Sequence, residues 1–408
     1  MSFNQNKRSR GGPNWSELKP ELLESIASKL SCPDIQRFKS TCSSWRNAAE
    51  YIKSGPLLLV PSTQEDQETI RLGVFSVKDK TTHDLKLIVN KSEDILNSPE
   101  EIHFVGSSHG WMIVVDKMGE PFLWNLFSRD RIDLPGKSKI QGLPKSLMQS
   151  YSPVTKQRFF IHKAILTANP SCTTENYVVV IIHDFSKKLA FCSKGDGTWT
   201  GFGDSKDYYD IMYSGEMLYS LREKATIEGW QFSETSSDPI KKLCIKPSFN
   251  ANMNLSSDRC TSQWYLVPSN GEILFIVRYI GEFVNEKCEL LCEAELPDDG
   301  DQICCYRTIK FEVYKLDRIK EKLVRETSLK NQLVFVGGNH GISLPFKDYQ
   351  GFKPNSIYFT DDYWDRIYKD YYYGGHDIGV FSLEDERISE VYECDSRFEP
   401  IPFWVLSN

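Results

Sequence analysis

From residue 57 onward, the chain consists of short apolar runs separated by turn-forming residues. The runs are four to seven residues long and rich in Val, Ile, Phe and Tyr, whereas Gly, Pro, Asn, Asp and Ser lie between them. Many short strands with regular turn signals are typical of a sandwich, a barrel or a propeller. The predicted strands are 57–60, 111–115, 122–125, 177–183, 189–192, 217–221, 264–267, 273–279, 309–314, 333–336, 356–359, 378–382 and 403–406.

The length of this β-rich region favours a propeller. It spans about 350 residues, which is too long for one sandwich and corresponds to about seven blades at roughly 45 to 50 residues each. We therefore predict six or seven blades over residues 51–408. Residues 56–60 and 402–406 are both apolar, and pairing them in one blade would close the ring and hide two strand edges. Residues 280–306, which include an acidic run at 293–301, predict an insertion loop.

Residues 14–46 have a different pattern, which predicts two short helices. The first begins at Pro20, and the second begins after Ser31 or Cys32. The apolar positions are Leu22, Leu23, Ile26 and Leu30 on the first helix, with Leu18 just before it, and Ile35, Phe38, Cys42 and Trp45 on the second. A unit needs roughly 40 to 60 residues before a core of its own is plausible. We therefore expect these stripes to dock either on the rest of the chain or on another protein.

At this point the residues resemble the F-box family. Its opening is matched by Leu18, Pro20, Glu21, Leu22 and Leu23, and its close by Phe38, Cys42, Trp45 and Arg46. The resemblance implies that residues 14–50 bind a Skp1-like adaptor, and through it cullin 1 and a RING subunit. The implied Skp1-binding residues are Leu18, Pro20, Leu22, Leu23, Ile26, Leu30, Ile35, Phe38, Cys42 and Trp45.

The rest of the chain resembles one group of plant F-box proteins, whose C-terminal half was long catalogued as a domain of unknown function. The resemblance depends on residues 195–200, 311–317 and 354–362, followed by the strand at 377–381. It implies a kelch-like β-propeller. The chain would then be a non-catalytic substrate receptor of an SCF-type ubiquitin ligase, with an unknown target protein. The alternative is an interaction protein that sequesters or inhibits its partner without ubiquitination.

Aromatic side chains interleaved with charges over residues 358–373 are the best candidate for the target-binding surface. Tyr and Trp are favoured contact residues, and so polar a segment cannot all be core. The residues that we single out are Tyr363, Trp364, Tyr371 and Tyr372. The alternative is an edge strand whose aromatic side chains pack on its neighbours.

Composition disfavours several other classes of protein. Residues 51–408 hold 41 Lys and Arg against 51 Asp and Glu, a net charge of −10, which disfavours bulk binding to nucleic acid. The longest apolar run, 177–182, is far shorter than the roughly 20 residues that cross a bilayer. Residues 1–13 lack the apolar core of a signal peptide, and we expect a disordered tail there. These features predict a soluble protein of the nucleus or the cytoplasm.

Three motifs suggest chemistry, and each has a simpler interpretation. Residues 106–110 fit Gly-x-Ser-x-Gly, with Ser108 as nucleophile, but a strand follows where the motif needs a helix, so we predict a hairpin turn. Cys288, Cys292, Cys304 and Cys305 have irregular spacing for zinc, and no histidine is suitably placed. Residues 195–201 lack the third glycine of a dinucleotide site, which leaves another hairpin turn. We therefore predict no metal and no cofactor.

Overall fold

The structure of the 408-residue chain is a computed structural model. The residues that it describes are 15–49, 55–61, 72–85, 102–116, 118–141, 160–172, 176–204, 206–233, 238–247, 259–285, 289–291, 305–349, 351–367, 377–392 and 401–405. The tail predicted at residues 1–13 lies outside them. The chain divides into two compact units, Met1–Ser54 and Gly55–Asn408, whereas the sequence placed the boundary after residue 50. None of the helices in the described ranges is long and apolar enough to cross a membrane.

The first unit contains three α-helices, not the two that the sequence predicts. They are α1 (Pro20–Ala27), α2 (Cys32–Lys39) and α3 (Ser43–Ala48), preceded by a 3₁₀ turn at Trp15–Glu17. The stripe from Ile35 to Trp45 is therefore divided between α2 and α3. The break has a local cause, because the Thr41 hydroxyl donates to the carbonyl of Arg37 and Cys42 adopts an extended conformation at the start of α3.

Local sequence explains where the first two helices begin. Pro20 is the first residue of α1, where its missing N–H costs no hydrogen bond, as predicted. Ser31 caps α2: its hydroxyl lies 3.4 Å from the Asp34 nitrogen and donates to the Asp34 carboxylate at 2.8 Å. The carboxylate also pairs with Arg37 at 2.7 Å. The predicted opening of the second helix is thus confirmed, with Ser31 as its cap.

The second unit is a β-propeller of six blades, each formed by one antiparallel or mixed sheet. Blade one consists of β1 (Leu57–Pro61), β2 (Leu72–Ser76), β3 (Thr81–Leu85) and β25 (Phe403–Val405). Blade two consists of β4 (Ile102–Ser108), β5 (Trp111–Asp116), β6 (Pro121–Asn125) and β7 (Arg131–Asp133). Blade three consists of β8 (Ile161–Leu166), β9 (Val178–His183), β10 (Lys188–Ser193) and β11 (Thr200–Phe202).

The remaining three blades follow in chain order. Blade four consists of β12 (Tyr208–Ser214), β13 (Met217–Arg222), β14 (Ile227–Gln231) and β15 (Ile240–Ile245). Blade five consists of β16 (Cys260–Ser269), β17 (Glu272–Val284), β18 (Cys305–Asp317) and β19 (Lys322–Glu326). Blade six consists of β20 (Gln332–Val336), β21 (Ile342–Pro345), β22 (Ser356–Phe359), β23 (Gly379–Ser382) and β24 (Ile388–Ser389), and a short helix, α4 (Trp364–Ile367), follows β22.

The mostly β fold and the blade count of six or seven are confirmed, with six as the number. The estimate of seven was too high because β17 and β18 each have 13 residues, so that blade five exceeds an average blade. The lengths of β17 and β18 also show that the loop predicted at residues 280–306 was drawn too long. Strand β17 continues to Val284 and β18 begins at Cys305, so both ends of the predicted loop are strand.

The six innermost strands surround the axis of the propeller. Neighbouring innermost strands contact one another from β25 through β4, β8, β12 and β16 to β21. Apolar side chains fill the space between adjacent blades, and the cluster between blades six and one includes Phe335, Tyr358, Leu58 and Trp404. The predicted closure of the ring is confirmed, because β25 pairs with β1 in one antiparallel ladder. Each of these two strands thereby covers one edge of the other.

Candidate functional site

A cavity of about 390 Å³ opens where the innermost strands of blades three, four and five begin. Its walls include His162 and Lys163 from β8, Tyr209 from β12, and Gln263 and Trp264 from β16. The connection after β22 adds Asp362, Tyr363 and Trp364. Cavities of this size, with aromatic walls and a few polar groups, are typical of binding sites in proteins.

The residues predicted at 358–373 divide between the core and this cavity. Tyr358 is buried in β22, where its ring stacks on Phe335 with 5.1 Å between centroids, so this part of the run is core. Tyr363 and Trp364 are half-buried and line the cavity. Tyr371 and Tyr372 lie outside the described residues. The proposed role of these four residues in target binding stays a prediction.

Contacts with other blades hold Tyr363 and Trp364 in place. The Tyr363 hydroxyl donates to the Glu282 carboxylate of β17 at 2.7 Å. The Trp364 ring meets the His103 ring of β4 edge to face, with 4.6 Å between centroids. A Cβ atom at Gly338 would lie 3.1 Å from the Trp364 ring, so a side chain there would press on the tryptophan. Blade five therefore holds Tyr363, and blade two holds Trp364.

Arg278 anchors the segment that leads into these aromatic residues. It lies in β17 and is completely buried. Its guanidinium donates to the Asp362 carboxylate at 2.9 Å, to the Asp377 carboxylate at 2.9 Å and to the carbonyl of Thr360 at 2.8 Å. A further bond of 2.7 Å reaches the Thr308 hydroxyl. Arginine suits this position because its planar group donates in several fixed directions at once.

The carboxylates around Arg278 have altered acidities. Burial, together with the nearby Asp377 carboxylate, raises the pKa of Asp361 to about 6. Burial also raises the pKa of Asp362, although the Arg278 guanidinium opposes this rise. Asp361 accepts hydrogen bonds from the Tyr306 hydroxyl at 2.5 Å and from the Tyr363 backbone at 3.1 Å. The Asp361 carboxylate thus links Tyr306 of blade five to Tyr363 in the wall of the cavity.

A second buried ion pair includes Lys163, one of the residues that line the cavity. Lys163 of β8 pairs with Asp210 of β12, and both are buried. Asp210 also accepts a hydrogen bond of 2.6 Å from the Leu266 backbone of β16. Burial raises the pKa of Asp210, and the Lys163 ammonium opposes this rise. The pair thus connects the innermost strands of three consecutive blades.

We did not single out Arg278, Lys163 or Asp210 from the sequence. A signal was present, because each is a charged residue inside an otherwise apolar strand segment, such as residues 273–280 around Arg278. Charged groups are rarely fully buried unless they are paired, so such positions predict a buried ion pair. What the sequence could not supply was the partner, which for Arg278 lies on a different blade.

The hairpin interpretations of two glycine-rich motifs are confirmed. Ser108 ends β4 and the next strand begins at Trp111, with His109 and Gly110 forming the turn at positive φ. The strand-to-helix turn of a nucleophile elbow is therefore not formed at Ser108. Residues 194–199 connect β10 to β11, which are paired antiparallel strands.

One of the four candidate zinc ligands lies among the described residues. Cys288, Cys292 and Cys304 lie outside the described residues, and Cys305 begins β18. Within the described ranges, no group of three or more His, Cys, Asp or Glu residues could hold a metal ion.

The residues predicted to bind Skp1 fall into three groups by their exposure. Leu23, Ile35 and Phe38 are buried, and the Phe38 ring packs at a tilt against Trp45 with 4.4 Å between ring centroids. Half-buried positions around this core are Leu18, Leu30, Cys42 and Trp45. The predicted residues that are exposed are Pro20, Leu22 and Ile26, of which Leu22 is 53% and Ile26 42% exposed. The small unit therefore has an apolar core, contrary to expectation, and still leaves apolar side chains outside it.

Comparison with known proteins identifies both units. Residues 74–382 match the KIB1-4 β-propeller family, and residues 15–55 match the F-box domain. The putative F-box protein At5g55150 of Arabidopsis thaliana is 24% identical over 405 residues, which cover 96% of this chain and 96% of that protein. The F-box protein SKIP23 of Arabidopsis thaliana is 23% identical over 419 residues, covering 97% of this chain and 96% of that protein. The chain belongs to the family of F-box proteins whose body is a KIB1-4 β-propeller.

Proposed function

We propose that this protein is the substrate-receptor subunit of an SCF-type ubiquitin ligase. The observation that carries the proposal is the pair of exposed side chains Leu22 and Ile26, which lie one turn apart on α1. Their neighbours Leu23 and Ala27 are completely buried on the adjacent face of the same helix. Apolar side chains left outside a filled core are suited to contact another protein.

The partner of this surface would be a Skp1-like adaptor, with cullin 1 and a RING subunit joined through it. Leu22 and Ile26 would make the contact, with Pro20 beside them on the exposed surface. The buried Leu23, Ile35 and Phe38 would instead hold the helices in the shape that the adaptor recognises. This division narrows the set of contact residues that the sequence predicted.

The propeller would present the target protein. Its cavity brings together side chains from blades three to six, including Trp264 and Tyr363, on a scaffold held by buried ion pairs. This protein would supply no reacting group, since the ligase's partner enzyme carries the ubiquitin. Its contribution would be to raise the effective concentration of a target lysine near that enzyme. Such a receptor would act in the nucleus or the cytoplasm.

The proposal is tested by expressing the full chain in cells and measuring two readouts. The first is co-purification of Skp1 and cullin 1, and the second is ubiquitin on proteins captured by the propeller. Leu22→Asp combined with Ile26→Asp should abolish both, whereas Glu24→Lys, on the far side of α1, should abolish neither. If the double variant still captures its partner and still blocks that partner's activity in cells, sequestration without ubiquitination is the better account.

A further inference from the structure

Some charged side chains that line the cavity form an ion pair with an opposite charge, and one does not among the described residues. Lys163 is paired with Asp210, and Asp362 is paired with Arg278. Lys187 also lines the cavity, and among the described residues no carboxylate lies within ion-pairing distance of it. The carboxylate of Asp184 lies 3.5 Å from Lys188, and that of Asp207 lies 3.9 Å from Lys206. Lys187 therefore contributes a positive charge to the cavity without a counter-ion from these residues.

The backbone holds Lys187 in a defined position. It is the last residue of the turn between β9 and β10, and its φ of 51° places it in the left-handed region. Its nitrogen donates to the Asp184 carbonyl at 3.0 Å, and its own carbonyl accepts from the Tyr208 nitrogen at 3.0 Å. The turn is thus attached to the first residue of the next blade. Because the backbone is already fixed, only the Lys187 side chain has to be ordered when its ammonium binds a ligand.

An aromatic wall lies directly beside this cation. The Lys187 ammonium is 5.2 Å from the centroid of the Tyr209 ring, which in turn lies 5.7 Å from that of Trp264. Tyr209 is 45% exposed, so much of its surface is open to a ligand. An ammonium next to two aromatic rings fits a group with an anionic end and a short apolar stem.

We propose that this cavity binds an anionic side chain of the target protein, with the carboxylate or phosphate at Lys187 and the stem of the side chain against Tyr209 and Trp264. A volume of about 390 Å³ accommodates one or two side chains and not a folded domain, which indicates a short segment of the target. The assignment of the ligand to a target rests on the proposed receptor function. The binding chemistry itself depends only on the cavity.

Because the propeller as a whole is negatively charged, a preference for anionic peptides would identify a local binding site. Residues 51–408 have a net charge of −10, from 41 basic and 51 acidic side chains. A body of this charge repels acidic peptides at long range, so general electrostatics cannot produce a preference for them. Selective binding of an anionic side chain must come from a local cation.

The experiment uses the full chain and arrays of immobilised short peptides with random flanking residues. The central position is fixed as Glu, Gln, phosphoserine or Ser. The wild type should bind the Glu arrays more strongly than the Gln arrays, or the phosphoserine arrays more strongly than the Ser arrays, by about tenfold or more. The larger of the two ratios identifies the anion as a carboxylate or a phosphate.

Variants of Lys187 attribute the preference to this residue. Lys187→Asn removes the charge and suits a positive φ, and it should reduce the preference to about onefold. Lys187→Arg should retain it. Lys194→Glu changes the charge at the other end of β10, on an exposed turn, and should also retain it.

Two results would overturn the inference: no anionic preference in the wild type, or an unchanged preference in Lys187→Asn. Capture of purified Skp1, measured on the same preparations, tests the receptor function separately. Loss of the anionic preference with Skp1 capture intact removes only the cavity assignment. An anionic preference without Skp1 capture supports the cavity and contradicts the receptor function.

Discussion

Trp404, in the last strand of the propeller, lies directly opposite Leu58, in the first, within one antiparallel ladder. The Trp404 side chain is completely buried, and its ring meets Phe335 at 5.1 Å and Tyr358 at 6.1 Å. The carbonyl of Trp404 also accepts a hydrogen bond of 2.8 Å from Ser107 of blade two. One residue near the end of the chain thus joins blades six, one and two.

We expect Trp404→Ala to weaken the whole propeller, since it leaves a cavity where the ring closes. The free energy of unfolding should fall by about 3 to 5 kcal/mol in urea denaturation. Ile319→Ala provides the control, because Ile319 is 93% exposed and its loss should change stability by less than about 0.5 kcal/mol. A loss of similar size in both variants would contradict closure through Trp404.

Arg278→Met should destabilise the propeller because it leaves two buried carboxylates, Asp362 and Asp377, without their counter-charge. The expected loss is about 3 to 5 kcal/mol. Arg278→Lys should lose less stability than Arg278→Met but should remain less stable than the wild type, since an ammonium cannot reproduce the planar set of donors. Arg325→Met is the matched control, because Arg325 is 59% exposed and lies 3.6 Å from Glu312. Equal unfolding midpoints for the two Met variants would contradict the role of Arg278.

His183 should make the stability depend on pH. Burial, only partly opposed by the Asp184 carboxylate, lowers the pKa of His183 to about 4, compared with about 6.5 in an unfolded chain. Between these values the unfolded chain binds the proton and the folded chain does not. Stability from this group is therefore present above pH 6.5 and is lost as the pH falls toward 4, by about 2 kcal/mol at pH 5.

The measurement for His183 is the free energy of unfolding at pH 7 and at pH 5. His183→Gln should reduce the difference between the two values by about 2 kcal/mol, because glutamine binds no proton in this range. The same difference in the variant and the wild type would show that His183 does not titrate as described.

Truncation of the two adjacent leucines of α1 should have very different effects on the stability of the first unit. Leu23→Ala removes a completely buried side chain and should destabilise the first unit by about 2 to 5 kcal/mol. Leu22→Ala removes one that is 53% exposed and should cost less than about 0.5 kcal/mol. Hydrogen exchange over residues 20–48 of the full chain reports this unit separately. Faster exchange in Leu22→Ala than in Leu23→Ala would be incompatible with the core that we describe.

Thirteen of the 25 strands in the described residues were predicted from the sequence, because their signals are local. The segments around Trp111, Met217 and Leu333 are apolar runs between turn residues, and all three are strands. The break between α2 and α3 was missed because spacing alone continues smoothly from Phe38 to Trp45. Ring closure was predictable for a different reason: two apolar ends must cover each other's edges.

The candidate site could be predicted only in part. Tyr363 and Trp364 were found because aromatic residues in a polar segment are conspicuous. Lys187 was not found, because it occupies an ordinary turn in blade three and its position beside Tyr209 of blade four results from folding.

The blade number also depends on folding, since strands such as β17 exceed the average length on which the estimate relied.

Affinity for purified Skp1, measured by calorimetry with the full chain, tests the receptor account most directly. We predict specific binding by the wild type and by Glu24→Lys. Leu22→Asp combined with Ile26→Asp should weaken binding at least about 100-fold, because each places a charge in an apolar contact. Its melting temperature should stay unchanged, because both side chains lie outside the core. Equal affinity of the double variant and the wild type, or no binding by the wild type, would contradict the account.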